Sequence, residues 1–205
     1  IAVMAVAESG GLLHAPDMYM DKIIVGPRAK GAIDIDKTVE ENLRNVAAAL
    51  GKDVSEMTVC LLDRERHEHI KQACKALGAK VKLITDGDVA PALTVAMDTG
   101  AIDMILGIGG APEGVLAAAA VKCLGGDMQG RLVPENDEQV RRMEAMGHSD
   151  VNQVYNLNDL VSADDVMFIA TGVTNGDVLC GIQAQGDRVK THTVVLRNTS
   201  KTVRF

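Results

Sequence analysis

The 205 residues contain no apolar run approaching the roughly 20 that a membrane helix requires, and no charged leader with a cleavage motif. Neither a membrane span nor a secretory signal is expected, and a cytoplasmic location follows. Positive charge is scarce: 21 Lys and Arg stand against 28 Asp and Glu, a formal net charge of -7. Nucleic acid and membrane surfaces, which bind clustered Lys and Arg, are excluded as partners. An anionic ligand must therefore be held by local positive charge. Cysteine is limited to Cys60, Cys74, Cys123 and Cys180, widely spaced in apolar segments with no C-x-x-C pair. Neither a zinc site nor a disulfide framework is indicated, and reduced, buried thiols are expected. Internal repeats and low-complexity tracts are absent. So is an initiator Met: the opening "IAVMAVAESGG" reads as a strand already under way, as in a piece of a longer protein.

What is present is an alternation. "TVCLLD", "AKVKLITD" and "AIDMILGIGG" are short apolar runs separated by stretches of helical length, the pattern of β-α-β units around a mainly parallel sheet. Gly78 and Gly100 fall where helix C-caps belong. Pro112 suits the first turn of "PEGVLAAAAVKCL", and Ala117 to Ala120 would let that helix lie close on a sheet or another helix. Upstream, "DKTVEENLRNVAAALG" carries a capping box at Thr38 and Glu41 and ends at Gly51; downstream, "DEQVRRMEAMG" reads as another helix. "DDVMFIATGVT" reads as a buried strand. The last stretch, two strand-like runs about Gln185-Gly186-Asp187 followed by "KTVRF", predicts antiparallel strands closing the sheet.

In such an array ligands bind beyond the carboxyl ends of the strands. Three loops are expected there. "DRERH" offers Arg64 and Arg66, whose forks suit phosphate oxygens, or else a solvated charged turn. "TDGDVA" offers Asp86 and Asp88 around Gly87, to accept sugar hydroxyls or a hard cation, or else an Asp-Gly turn with Asp88 at a helix N-cap. "GIGGAPEG" feeds a helix whose first turn contains Glu113: its N–H groups and dipole attract phosphate while the carboxylate holds a divalent metal, or else the glutamate simply favours a first turn. Taken together, they describe a site for a phosphorylated polyol and a metal. A dinucleotide fingerprint from Gly107 fails at Pro112, and a P-loop fails for want of Gly-Lys-Ser/Thr. His67 and His69 are expected at the surface, and Met18 and Met20 in the core.

At "HAPDMYM", "DRERH", "TDGDVA", "GIGGAPEGVLAAAAVKCLGGDMQGRL" and "ATGVTNGD" the sequence resembles the bacterial class II fructose-1,6-bisphosphatases, in order along essentially the whole chain. The resemblance implies an α/β fold, a layered αβαβα sandwich of the lithium-sensitive phosphatase type, with a mixed sheet and antiparallel C-terminal strands. It implies hydrolysis of the 1-phosphate of fructose 1,6-bisphosphate with Mn²⁺ or Mg²⁺, and a homo-oligomer. By it, Glu113 is a metal ligand, while Tyr19, Arg64, Glu65, Arg66, Asp86, Gly87, Asp88 and Gly110 line the substrate pocket. The family's other metal carboxylates lie in an acidic region that would precede Ile1, so residues 1–205 are expected to be one incomplete, inactive unit. Within it, 1–50 would be the end of an N-terminal sheet region with a connecting helix, and 51–205 a sugar-phosphate-binding lobe. Asn175 stands where relatives often carry Asp, and no role is assigned to it. A non-catalytic sugar-phosphate-binding module, a dual fructose and sedoheptulose bisphosphatase and a nucleotide-binding regulatory domain are the alternatives.

Overall fold

A computed structural model describes residues 1–205. The first half runs β1 (Ala2–Val6), β2 (Tyr19–Val25), α1 (Val39–Leu50), β3 (Thr58–Leu62), α2 (Glu68–Ala76), β4 (Lys80–Ile84), α3 (Val89–Ala96) and β5 (Met104–Gly110). It continues with α4 (Ala111–Leu124), β6 (Asp127–Val133), α5 (Asp137–Ala145), β7 (Tyr155–Asn156) and the single turn α6 (Leu157–Leu160). The end is all strand: β8 (Met167–Thr171), β9 (Gln183–Gln185), β10 (Arg188–Lys190), β11 (Thr193–Arg197) and β12 (Thr202–Arg204).

Local signals act where expected in α1, whereas Gly100 is not the expected C-cap: α3 ends at Ala96 and Met97 caps it. The Thr38–Glu41 capping box opens α1, and Gly51, at φ 66°, closes it in the left-handed region that favours glycine. A six-stranded sheet has the order β4-β3-β5-β2-β6-β7. β3 runs parallel to β4 and β5, while β2 lies antiparallel between β5 and β6, so the sheet is mixed. Because β2 sits inside this sheet, the elements on either side of residue 50 build one sheet in common. A second sheet, order β1-β8-β11-β12, is antiparallel throughout, and β9 and β10 form a separate hairpin.

With only 2 Tyr, 2 Phe and no Trp, the core is built from aliphatic side chains and methionine. One cluster packs α1 and α2 on one face of the large sheet through Leu43, Val46, Ile70 and Cys74. The other packs α3 and α4 on the opposite face and joins them to Phe168, Ala170, Val194 and Leu196 of the second sheet. Residues 1–205 therefore stack as four layers, α, β, α, β. Ala117 to Ala120 are completely buried because α4 lies between the two sheets, where only small side chains let both approach. Met18 and Met20 are buried as expected.

Three further expectations are corrected. Cys60, Cys74 and Cys123 are buried, which pushes each thiol up to about 11, but Cys180 is exposed on the loop after β8. Asn175 does have a role: its Oδ1 accepts from Gly181 N at 2.8 Å and closes that same loop. His67 is buried, as described below. One close approach carries a prediction. A Cβ on Gly126 would stand 2.6 Å from the Val25 carbonyl oxygen. Gly126→Ala is expected to cost about 1–3 kcal/mol and lower the melting temperature by several degrees. Gly176→Ala, where the nearest atom is 3.7 Å away, should leave it unchanged; equal melting curves for the two variants would refute the packing argument.

Candidate functional site

The carboxyl ends of β3, β4 and β5 come together on one edge of the large sheet, and the contacts between their loops define the site. Arg64 follows β3 and donates from Nη1 to Asp63 O and from Nη2 to Thr85 O, both at 2.9 Å, tying the first loop to the second. Arg66 donates from Nη2 to Ile108 O at 2.8 Å, and its guanidinium carbon lies 4.7 Å from the Tyr19 ring centroid. Tyr19 in turn is paired with Gly110 across β2 and β5. Glu65 lies exposed at the start of a short 3₁₀ turn.

Gly87, at φ 70°, allows the tight turn that presents Asp86 and Asp88. Asp86 is exposed and borders a cleft of about 240 Å³ shared with Lys82, Gly176 and Asp177. Asp88 is buried and occupies the N-cap position of α3, but its side chain does not cap that helix. It is turned instead toward Lys22, whose Nζ donates to Asp88 Oδ2 and, at 3.0 Å, to Gly110 O. The reading of Asp88 as an ordinary cap is therefore corrected: a buried cation competes for the carboxylate and wins.

The expected third loop does not exist. β5 runs through Gly110 and α4 begins at Ala111, so the glycines belong to a strand that passes directly into a helix. Ala111 N is taken by Met18 O at 2.8 Å. Glu113, in the first turn, is exposed as a residue, but its carboxylate is folded back near Gly110: a Cβ there would stand 3.2 Å from Oε2. Loss of water, then the like charges of Asp88 and Asp86, raise the Glu113 pKa, with Lys22 opposing. Glu113 is therefore within electrostatic reach of both aspartates.

Two buried side-chain polar atoms lack a hydrogen-bond partner, Arg66 Nε and Asp88 Oδ1. Buried polar atoms are nearly always paired, so these two are open to a further partner. Both belong to residues singled out from the sequence. A roomier cleft, about 410 Å³, adjoins this region: Lys22 and His67 border it together with Asp21, Lys37, Glu40 and His69, but none of the arginines does, nor do Asp86, Asp88 or Glu113. We place the chemistry where charged groups converge rather than in the roomier cleft.

Sequence reading missed two residues here. Lys22 is a lysine in the middle of the apolar strand "YMDKIIV", and that misplacement was the available signal. His67 is completely buried. Its Nδ1–H donates to Leu62 O and its Nε2 accepts from Ile108 N, both at 2.8 Å. One partner only accepts and the other only donates, so the ring is held as the neutral Nδ1–H tautomer. The expectation of a surface histidine fails because the strand edges supply it with two backbone partners.

The family model described as "Bacterial fructose-1,6-bisphosphatase, glpX-encoded" matches residues 1–205. The chain belongs to the bacterial class 2 fructose-1,6-bisphosphatase family. It is 44% identical over 217 aligned positions to the class 2 fructose-1,6-bisphosphatase of Haemophilus influenzae, covering 100% of this chain and 65% of that protein. The Escherichia coli K12 fructose-1,6-bisphosphatase 1 class 2 is also 44% identical, with 100% and 64% covered. A Synechococcus (strain JA-3-3Ab) protein named D-fructose 1,6-bisphosphatase class 2/sedoheptulose 1,7-bisphosphatase is 42% identical, with 100% and 62% covered. The chain thus spans just under two thirds of the length of these class 2 relatives. No helix is long and apolar enough to cross a membrane.

Proposed function

We propose that this chain is the sugar-phosphate-binding part of a metal-dependent phosphatase that hydrolyses the 1-phosphate of fructose 1,6-bisphosphate. The observation that carries the reading is the pair of partnerless buried atoms, Arg66 Nε and Asp88 Oδ1, on two loops that end on the same sheet edge. One is a donor suited to a phosphate oxygen and the other an acceptor suited to a sugar hydroxyl. Arg64, steadied by its two carbonyl contacts, adds the rest of its donors on the same side. Asp86 supplies a second hydroxyl acceptor; Tyr19, Glu65, Gly87 and Gly110 line the pocket.

The residues present fit a divalent metal only in part. Glu113 offers a hard oxygen donor, the type Mn²⁺ and Mg²⁺ accept. Yet no group of three or more His, Cys, Asp and Glu is arranged to hold an ion, and we infer that further ligands are supplied by another part of the protein. When bound, such a metal neutralises phosphoryl charge and acidifies a water. What this chain's residues do is orient the bisphosphate and supply one carboxylate. We place the reaction in the cytoplasm, in sugar synthesis from smaller precursors, and infer a homo-oligomer. The name of the Synechococcus relative favours sedoheptulose 1,7-bisphosphate as a second substrate.

The test is phosphate release from each bisphosphate with Mn²⁺, by residues 1–205 alone and by an N-terminally extended form. Turnover by the extended form only is expected. Turnover by neither, with fructose bisphosphate still raising the melting temperature, would make the chain a binding module instead.

A further inference from the structure

One charged side chain at the site has no part in the contacts proposed above. Lys22 lies in the middle of β2, opposite Gly107 on β5 and Gly130 on β6, with its side chain 2% exposed. Its stem passes Gly114, where a Cβ would stand 3.2 Å from Lys22 Cδ. Its ammonium passes Gly109, where a Cβ would stand 2.9 Å from Nζ and 2.6 Å from Asp88 Oδ2. Glycines therefore keep a passage open for this one side chain and its partner.

The buried ammonium loses its water and stands near Gly110, the N-cap of α4, so it depends on its carboxylate partner. What a lysine does that methionine cannot is occupy one oxygen of Asp88 and fix it against the Gly110 carbonyl. The other oxygen, Oδ1, is left buried and without a partner. Glu113, exposed where Asp88 is buried, is the more open carboxylate.

We propose that Lys22 is a positioning residue that divides the work of the carboxylates: it reserves Asp88 for a sugar hydroxyl and withholds it from the divalent metal, which is left to Glu113. This rests on the sugar-phosphate reading above. Lys22 itself touches neither ligand.

The test measures two affinities separately in the N-terminally extended protein: fructose 6-phosphate without metal, and Mn²⁺ without sugar, both by titration calorimetry. Lys22→Met is expected to weaken fructose 6-phosphate about tenfold or more while leaving Mn²⁺ as tight or tighter, because Asp88 is released. A general loss of structure would weaken both together, and that result overturns the proposal, as does unchanged sugar affinity. If Lys22→Met alone does not fold, Asp88→Asn and Lys22→Met/Asp88→Asn carry the test. Equal sugar affinity in the two supports action through Asp88, and a further loss in the double variant overturns it. A wild-type protein that binds no fructose 6-phosphate would remove the sugar-phosphate reading and this proposal together. Wild-type binding matched by Lys22→Met removes only the role of Lys22.

Discussion

Glu113→Ala in the N-terminally extended protein is expected to lower phosphate release by about 10²–10³-fold and to abolish the stabilisation that Mn²⁺ gives, without harming the metal-free fold. The reason lies in the surroundings of the carboxylate. Burial of its carboxyl end, followed by Asp88 and Asp86, raises its pKa, so its ionised form is disfavoured until a cation arrives. Removing it relieves that repulsion, and the metal-free melting temperature should hold or rise slightly; the residue is exposed, so solvent screening keeps the gain small. With Mn²⁺ at about 100 times its dissociation constant the order reverses. The wild type gains about 2.7 kcal/mol, roughly 5–10 °C, and the variant gains much less. A loss of this size in rate is what removing one preorganised electrostatic contact costs. If the variant keeps its Mn²⁺ shift and its turnover, Glu113 is not a metal donor.

His67→Leu should cost about 2–4 kcal/mol, the sum of leaving Ile108 N–H and the Leu62 carbonyl unpaired in the interior. The ring also packs over Gly107, at φ 121°, where a Cβ would stand 2.9 Å from Nε2, so the side chain and the strand depend on each other. The pH dependence has a definite sign. Burial, the largest cause, lowers the His67 pKa below its ordinary 6.5, with Arg66 and His69 adding to the effect. Below pH 6.5 the unfolded chain therefore binds more protons than the folded one. The stability contributed by neutral His67 is complete above 6.5 and is lost as pH falls toward the lowered folded value. Protonation would place an N–H on Nε2 facing the Ile108 N–H. Thermal unfolding from pH 7.5 down to 5 should show a steeper decline in the wild type than in His67→Leu. Parallel curves would mean that His67 does not carry the pH response.

The features written into local sequence are those set by neighbours along the chain. The capping box of Thr38 and Glu41, the glycine that ends α1, the proline opening α4 and the run of alanines within it depend on backbone geometry over a few residues, and each lies where its pattern predicts. Two of the three candidate loops were legible for the same reason: strands that end in charged turns announce themselves, whereas the glycine-rich run proved to be strand. Arg66 and Asp88 both belong to such turns.

Other features depended on residues distant in sequence. Nothing near Asp88 reveals that a lysine 66 positions earlier takes one of its oxygens. His67 resembled a surface residue because the groups that hold it include Ile108, 41 positions away. The antiparallel insertion of β2 between β5 and β6 was invisible as well, since a strand's alternation shows which faces are buried but not which edges it joins. The sequence by itself determined the alternation of strands and helices, the caps of α1 and the charged residues that its loops carry. Only the tertiary structure decided the partners of Lys22, Asp88 and His67, because buried charge and buried hydrogen-bonding groups are satisfied across space, and their partners are chosen by sheet order rather than by spacing along the chain.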